Sequence, residues 1–464
     1  MFNNLFIYEL FYRSSRSRDR IAFKKKECSV SYGDLMEAVA EVANWLSRNG
    51  VGENRSVAVG SEFHPMQQVI ILLGVIEAGG MPHILPLDRA KFLEAGIVHE
   101  FLVHAGDAYA SGLVSFGLSR HGGMRPVADP VPEPCVLVNS SGSTAFPKVI
   151  IQSQRGVMRN MVANIKALGI TEGQRSLCVL PVFYSYALIA QVLSHLLCGA
   201  MIVFEQLNLF ILNPAKAIAA ERITNVFMVP TMLRQIVLFH QQHPGTAART
   251  GLNFLTIGGS YVDSSTLQAA RELFGCRLIK TYGLAEAGPR VSSKFMDGPG
   301  SLDPTNVGAP IGGVGVRIVD ETGASVEEGM AGRVVIESES IFCGYYPMRK
   351  FYGWRGRRGL LTHDIGRFIN GELHLIGRAG HHFRFANRVV WFREIEEVVY
   401  STRQFYKIEI RESGDRLSLE VFPVANCRID PADVIRLLER QLNIDVEQAI
   451  EIRFVSAAAP KSFK

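Results

Sequence analysis

What the chain lacks narrows it first. Its seven cysteines are scattered singly, with no C-x-x-C pair. That gives neither a metal-finger spacing nor a disulfide framework, and it suits a reducing cytosol. Charge of one sign is scarce too: 49 Lys and Arg against 44 Asp and Glu leave a net charge of +5, too mild to argue for a nucleic-acid partner. There is no internal repeat and no low-complexity stretch. The apolar patch from Leu5 to Phe11 is interrupted by Glu9, has no basic segment before it and no small-residue cleavage site after it. It reads as a helix of the mature protein rather than a signal peptide. One run, Leu180 to Phe204, has no Asp, Glu, Lys or Arg over a length that can span a bilayer. Pro181, Tyr184, Ser185, Tyr186, Gln191, Ser194, His195 and Gly199 dot it, so the expectation is a strand end, an active-site turn and a buried helix. Together these absences point to a cytoplasmic protein with no membrane span.

What is present is globular. The 464 residues are 47% hydrophobic and 20% charged, enough for a large core and more than one domain. Strand-like runs (55–59, 177–180, 225–229, 254–257 and 277–280) alternate with helical ones such as 66–78, the pattern of an α/β layered architecture with largely parallel sheets. From Val307 to Ile336 short strands with glycine-bearing turns, such as 316–319 and 333–336, predict a β-rich subdomain. A boundary is expected near Gly377-Arg378-Ala379-Gly380. Beyond it come a helix over 394–399, paired strands over 406–410 and 418–422, and a helix opened by Asp430-Pro431 with Val434, Ile435, Leu438 and Leu442 on its buried face. The fold class is therefore α/β: a large N-terminal domain of layered sheets plus the β-rich subdomain over 1–377, and a small α+β C-terminal domain over 378–464.

The most informative stretch runs from Asn139 to Val149. Four small hydroxyl residues surround a glycine, the stretch ends in Pro147-Lys148, and an apolar strand over 134–138 precedes it. Backbone N–H groups, hydroxyls and one ammonium suit a polyphosphate. It is not a Walker loop, because Pro147 stands where that motif needs glycine and Val149 where it needs Ser or Thr.

Ser140, Ser141, Gly142, Ser143, Thr144, Pro147 and Lys148 resemble the phosphate loop of the adenylate-forming superfamily of acyl-CoA synthetases, stand-alone adenylation domains and luciferases, with Ala145 and Val149 replacing two glycines. Further landmarks follow in order. Ser31-Tyr32-Gly33-Asp34-Leu35, Ala78-Gly79-Gly80, Val229-Pro230-Thr231 and Gly258-Gly259-Ser260 are similar to family segments. Tyr282-Gly283-Leu284-Ala285-Glu286 resembles the Tyr-Gly-x-Thr-Glu motif with alanine for threonine, Leu361-Thr362-His363-Asp364 resembles Thr-Gly-Asp, and Gly377-Arg378 resembles the next landmark. The stretch Phe383 to Val390, with Asn387 at a glycine position, fits the motif that lines the thioester tunnel.

The resemblance implies ATP-dependent activation of a carboxylic acid to an acyl-adenylate, then transfer to a thiol, with ATP and Mg²⁺ as cofactors. Ser140, Ser141, Gly142, Ser143, Thr144 and Lys148 would surround the phosphates, and Glu286 would hold the metal. Tyr282 with Gly283 would cover the adenine beside Gly259 and Ser260, and Asp364 with Arg378 would fix the ribose. Tyr184, Ser185, Gly258 and Leu284 would border the acid. The catalytic residues implied are Lys464, Glu286 and Thr144; Lys464 stands in for the family's C-terminal lysine, although the family's glycine is missing before it. The family swings its C-terminal domain between half-reactions, and Gly380 takes the hinge position. Amino-acid-activating relatives carry an aspartate where Tyr184 stands, so an acid without an α-amine is expected. The acceptor is CoA, or the phosphopantetheine of a carrier protein in trans. The basic segment of Arg349, Lys350, Arg355, Arg357 and Arg358, interleaved with Phe351, Tyr352 and Trp354, reads as a solvated loop or as a docking site for that acceptor. His381 and His382 lack further spaced ligands and read as solvent-facing. The competing reading is a non-catalytic or half-catalytic relative that binds a nucleotide or an acyl ligand without turnover.

Overall fold

The computed structural model describes residues 2–12, 14, 17–86, 94, 97–121, 134–140, 148–205, 214–243, 251–298, 302–347, 359–385, 388–413, 416–424, 427–444 and 449–455. Among the described residues two large sheets carry the fold, one of 13 strands and one of 7. The larger has a parallel middle made of Met201–Phe204, Arg175–Cys178, Asn225–Met228, Phe254–Ile257 and Arg277–Tyr282. These strands read as unbroken apolar runs because helices cover them, as parallel strands require. Past Arg277–Tyr282 the sheet turns antiparallel through Ser292–Phe295, Asn306–Pro310, Glu372–Arg378, Gly359–Ile369, Gly332–Ser338 and Val314–Val319. The β-rich run expected from its turns is therefore not a separate sheet. Asn306–Pro310 pairs on one side with a strand of the α/β part and on the other with Glu372–Arg378, joining the two without a gap.

The 7-stranded sheet runs Gly344–Tyr346, Val149–Ser153, Cys135–Asn139, Met81–Ile84, Ser56–Val59, Phe101–Ala110 and Ser115–Arg120. Helix Tyr32–Arg48 begins where Ser31 and Asp34 cap each other's backbone N–H groups. Leu35, Val39, Val42 and Leu46 then recur on one face and are buried against helix Pro65–Glu77.

The charge-free run 180–204 is divided. Tyr186–Leu193 forms a π-helix, Ser194–Leu197 a short α-helix, and Met201–Phe204 a strand of the large sheet. Side chains tie the π-helix down: Asn164 Nδ2 donates to Ala190 O at 2.9 Å and Ser194 Oγ to Ile189 O at 2.9 Å. No described helix is long and apolar enough to cross a membrane.

The last part of the chain has its own apolar cluster, including Phe385, Ile395, Val399, Phe405, Leu419, Val421, Val434 and Leu438. Strands Phe405–Ser413 and Arg416–Pro423 pair antiparallel, with Ile450–Phe454 parallel beside them. Asp430 Oδ1 accepts from Asp433 N at 2.8 Å, which starts helix Pro431–Leu442. Val434, Leu438 and Leu442 are buried and Ile435 partly so. This cluster meets the large sheets through polar groups. Tyr261 Oη donates to Glu397, Ser264 N donates to Glu397 Oε1 at 3.2 Å, and the Arg234 guanidinium lies 3.5 Å above the Tyr400 ring.

Candidate active site

The hydroxyl-rich stretch is flanked by two paired strands. Cys135–Asn139 is followed by an antiparallel partner, Val149–Ser153, in register Asn139 to Val149. Ser140 N donates to Lys148 O at 3.0 Å, so the two ends of the stretch face each other. The Oγ of Ser140 is buried and makes no hydrogen bond among the described residues, which suits a hydroxyl kept for a ligand. Residues 141–147, which hold Ser141, Gly142, Ser143 and Thr144, lie outside the described residues, as do Asn387, Lys464 and the basic segment 349–358.

Asn139, the last residue of strand Cys135–Asn139, is a hub that local sequence does not mark. Its Nδ2 donates to Ile84 O at 3.1 Å and to Phe183 O at 3.0 Å. Its Oδ1 must then accept, and His83 Nε2 donates to it at 2.9 Å. With its proton on Nε2, His83 accepts at Nδ1 from His99 Nε2, 3.0 Å away. Burial pushes the His83 imidazole down to about 4, with the bond to Asn139 opposing. Asn139 also bridges to Tyr184 in the parallel sense, which brings the predicted acid-pocket segment beside the paired strands. Tyr184 is 39% exposed and Ser185 is buried.

A second chain of contacts starts at the end of strand Arg277–Tyr282. Gly283 allows the turn: a Cβ there would sit 2.0 Å from Pro289 O. Residues 285–287 form one 3₁₀ turn that presents Glu286. Gln152 Nε2 donates to Ala285 O at 2.6 Å, and Phe342 N donates to Glu286 O at 2.8 Å, fixing the turn from both sides. Tyr345 Oη donates to Glu286 Oε1 at 3.1 Å, and Lys148 Nζ lies 5.4 Å from the centre of the same Tyr345 ring. Lys148 and Glu286 therefore converge on one aromatic side chain. Nothing in the local sequence marked Tyr345; it arrives because Gly344–Tyr346 pairs with Val149–Ser153.

Tyr282, four residues before Glu286, is buried, and its Oη donates to Asp364 Oδ2 at 2.6 Å. Burial, then the Asp364 charge, hold the phenol well above its ordinary value. Asp364 N is held by Thr362 Oγ1 at 3.0 Å, and Asp364 stands opposite Arg378 in the strand register. Gly258 is buried; a Cβ there would lie 2.3 Å from Thr281 Oγ1 and 3.4 Å from Tyr186 Cζ. Gly259 and Ser260 are exposed, and Leu284 packs with Tyr282. Gly380 is exposed with φ of +81°. His381 is exposed and His382 partly buried; among the described residues no group of three or more His, Cys, Asp or Glu is placed to hold a metal.

The sequence model of the AMP-binding enzyme family matches residues 88–346, more than half of the chain. The chain belongs to the AMP-binding enzyme family. Among its curated relatives, this AMP-binding enzyme is 24% identical to a dimodular nonribosomal peptide synthase of Bacillus subtilis over 458 residues, 91% of this chain and 19% of that protein. It is 25% identical to sulfoacetate–CoA ligase of Cupriavidus necator over 323 residues, 67% of this chain and 60% of the relative. The chain thus spans less than two thirds of the length of either. Its fold is similar to that of ATP-bound MatB from Rhodopseudomonas palustris, with a TM-score of 0.78 at 18% identity, covering 98% of this chain and 95% of the other.

Proposed function

We propose that this AMP-binding enzyme uses ATP to activate a carboxylic acid lacking an α-amine. The reaction releases pyrophosphate, forms an acyl-adenylate and passes the acyl group to the thiol of CoA or of a carrier protein. A carboxylate oxygen attacks the α-phosphorus, the bond to the β-phosphate oxygen breaks, and pyrophosphate leaves with that electron pair. The thiolate sulfur then attacks the carbonyl carbon, and AMP leaves. Such chemistry needs positioning and charge neutralisation more than covalent help.

One observation carries the reading. Lys148 and Glu286 meet at Tyr345, while Tyr282, at the end of the strand that leads into the turn of Glu286, holds Asp364. A cation, a hard carboxylate, an aromatic ring and a diol-accepting carboxylate are the groups a nucleoside triphosphate asks for. Glu286 suits Mg²⁺: Tyr345 engages Oε1 and leaves Oε2 to a hard cation. Bound there, Mg²⁺ neutralises phosphate charge. Lys148 and the Ser140 hydroxyl bind phosphate oxygens, with Ser141, Gly142, Ser143 and Thr144 between them. Tyr282 and Gly283 flank the base beside Gly259 and Ser260, Asp364 accepts from the ribose hydroxyls, and Arg378 lies across from it. Tyr184, Ser185, Gly258 and Leu284 border the acid. Lys464 neutralises the α-phosphate. Residues 1–377 supply the adenylation domain and 378–464 a smaller domain that turns about Gly380 between the two steps.

Acid-dependent ATP–pyrophosphate exchange tests this, followed by CoA and carrier protein as competing acceptors. Exchange that requires both an acid and Mg²⁺ is expected. Nucleotide binding without exchange for any acid would overturn the activity in favour of a binding-only relative, a reading that Ala285 in place of the motif's threonine favours.

A further inference from the structure

Among the described residues, two arginines, Arg234 and Arg290, are almost wholly buried, and they differ in one respect. Arg234 has a carboxylate partner, Asp263 Oδ2, 2.9 Å from its Nε. Arg290 is 0% exposed, and among the described residues it has no carboxylate partner; neither Nη makes a hydrogen bond of good geometry, and the polar group facing them is the Tyr186 phenol. Burying an unpaired guanidinium is costly, so its position needs an explanation. The rest of Arg290 is held firmly. Its N donates to Asn160 Oδ1 at 3.2 Å, Asn160 Nδ2 donates to its O at 2.8 Å, and its Nε donates to Asn164 Oδ1 at 2.8 Å. Asn160 and Asn164 sit one turn apart on helix Gln154–Leu168 and share a face. They fix the guanidinium through its Nε and leave its two outer nitrogens toward the Tyr186 phenol.

Those nitrogens lie next to the proposed acid pocket. The Tyr186 ring centre is 5.5 Å from Arg290 Cζ, and the same ring borders the space that a Cβ at Gly258 would occupy. Tyr186 opens the π-helix 186–193, whose Ala190 carbonyl is held by Asn164. π-Helical turns are rare and concentrate at functional sites. Arg290, Tyr186 and Gly258 thus form a row leading inward from the pocket border.

The geometry points to Arg290 as the anchor for a second acidic group on the substrate: the acid activated here carries a carboxylate or sulfonate at the end remote from the reacting carboxylate. This rests on the reading of Gly258, Tyr184 and Ser185 as the acid pocket. A planar, buried guanidinium with no carboxylate partner and only the Tyr186 phenol facing its Nη groups is suited to bidentate capture of such a group.

Matched acid pairs test it: glutarate against pentanoate, 3-sulfopropionate against butanoate, and terephthalate against benzoate. Each is measured by ATP–pyrophosphate exchange and, separately, by calorimetric binding in the presence of ATP. Wild-type enzyme is expected to favour the doubly acidic member of at least one pair by about 10- to 100-fold, the scale of a hydrogen-bonded charge. Arg290→Gln is expected to collapse that ratio to within about 3-fold, and Arg290→Lys to keep part of it. Wild-type preference for the singly acidic member in every pair overturns the anchor without recourse to any variant, as does a preference that survives in Arg290→Gln, or no binding of any doubly acidic member. Exchange with singly acidic members alone leaves the adenylation reading standing while the anchor falls. Selective, Arg290-dependent binding of a doubly acidic member without exchange does the reverse.

Discussion

The two sides of the candidate site are built differently. On the proposed sugar side Tyr282, Thr362 and Asp364 are already hydrogen-bonded to one another, and Asp364 and Arg378 face each other across paired strands. On the proposed phosphate side Lys148 is exposed and, among the described residues, reaches Glu286 by way of the Tyr345 ring. A ribose needs one fixed acceptor, which strand register can supply before the ligand arrives. A triphosphate needs several charges drawn in from separate elements, and those reach their positions through side chains rather than through the backbone ladder. The sugar side is therefore expected to govern nucleotide binding, and the phosphate side to govern the rate of the chemical step.

The largest effects should separate the two sides. Lys464→Ala is expected to lower the exchange rate by roughly 10²–10³-fold, the scale for losing one charge-stabilising donor, with nucleotide affinity largely kept. An unchanged exchange rate would remove Lys464 from the phosphate side. Asp364→Ala should weaken nucleotide binding by about 10- to 100-fold, as expected for hydrogen bonds to a charged acceptor. A loss confined to kcat, with the KM for ATP unmoved, would contradict the division.

Acid should act on the phosphate side through His83. Its imidazole has a folded value of about 4 against an ordinary value of 6.5. Above pH 6.5 both the folded and unfolded chains are neutral at this group. Between pH 6.5 and 4 the unfolded chain takes up a proton that the folded one refuses, so stability falls as pH falls, and below 4 nothing further is lost. This group alone should cost about 2 kcal/mol between pH 7 and 5. Thermal denaturation of wild type and His83→Gln across that range checks it. His195 is likewise buried and held down to about 4, so the variant should flatten the acid limb in part and not abolish it. Identical limbs would show that the Asn139–His83–His99 chain takes no part.

Much of this was legible in the sequence, and the exceptions share a cause. The helix opened by Asp430-Pro431, the capped helix after Ser31 and the apolar strands of the parallel sheet are local features, written in periodicity and capping. Tyr282, Glu286 and Asp364 came from ordered motifs. Missed were Asn139 as a hub, His83 and His99 behind it, Tyr345 and Arg290. Each gains its role from a partner far along the chain: 56 residues separate His83 from Asn139, and 59 separate Tyr345 from Glu286. The continuity of the 13-stranded sheet was missed for the same reason, since it depends on Asn306–Pro310 finding Glu372–Arg378. Pairings of that kind leave no trace in a short window of residues.

The smallest predicted effect sharpens the comparison most. Tyr345 touches both phosphate-side charges, by its ring toward Lys148 and by its hydroxyl toward Glu286. Tyr345→Phe removes only the second contact and keeps the ring, its packing on Phe342 and the strand pairing with Ile150. A single neutral-donor hydrogen bond contributes about 0.5–1.5 kcal/mol, so exchange should fall by roughly 2- to 10-fold. If the hydroxyl serves to aim the Glu286 carboxylate at Mg²⁺, the fall should be larger at limiting magnesium and should shrink as magnesium is raised. A decrease that ignores magnesium concentration would assign Tyr345 to the packing of these strands alone and would leave Glu286 aimed by its own 3₁₀ turn.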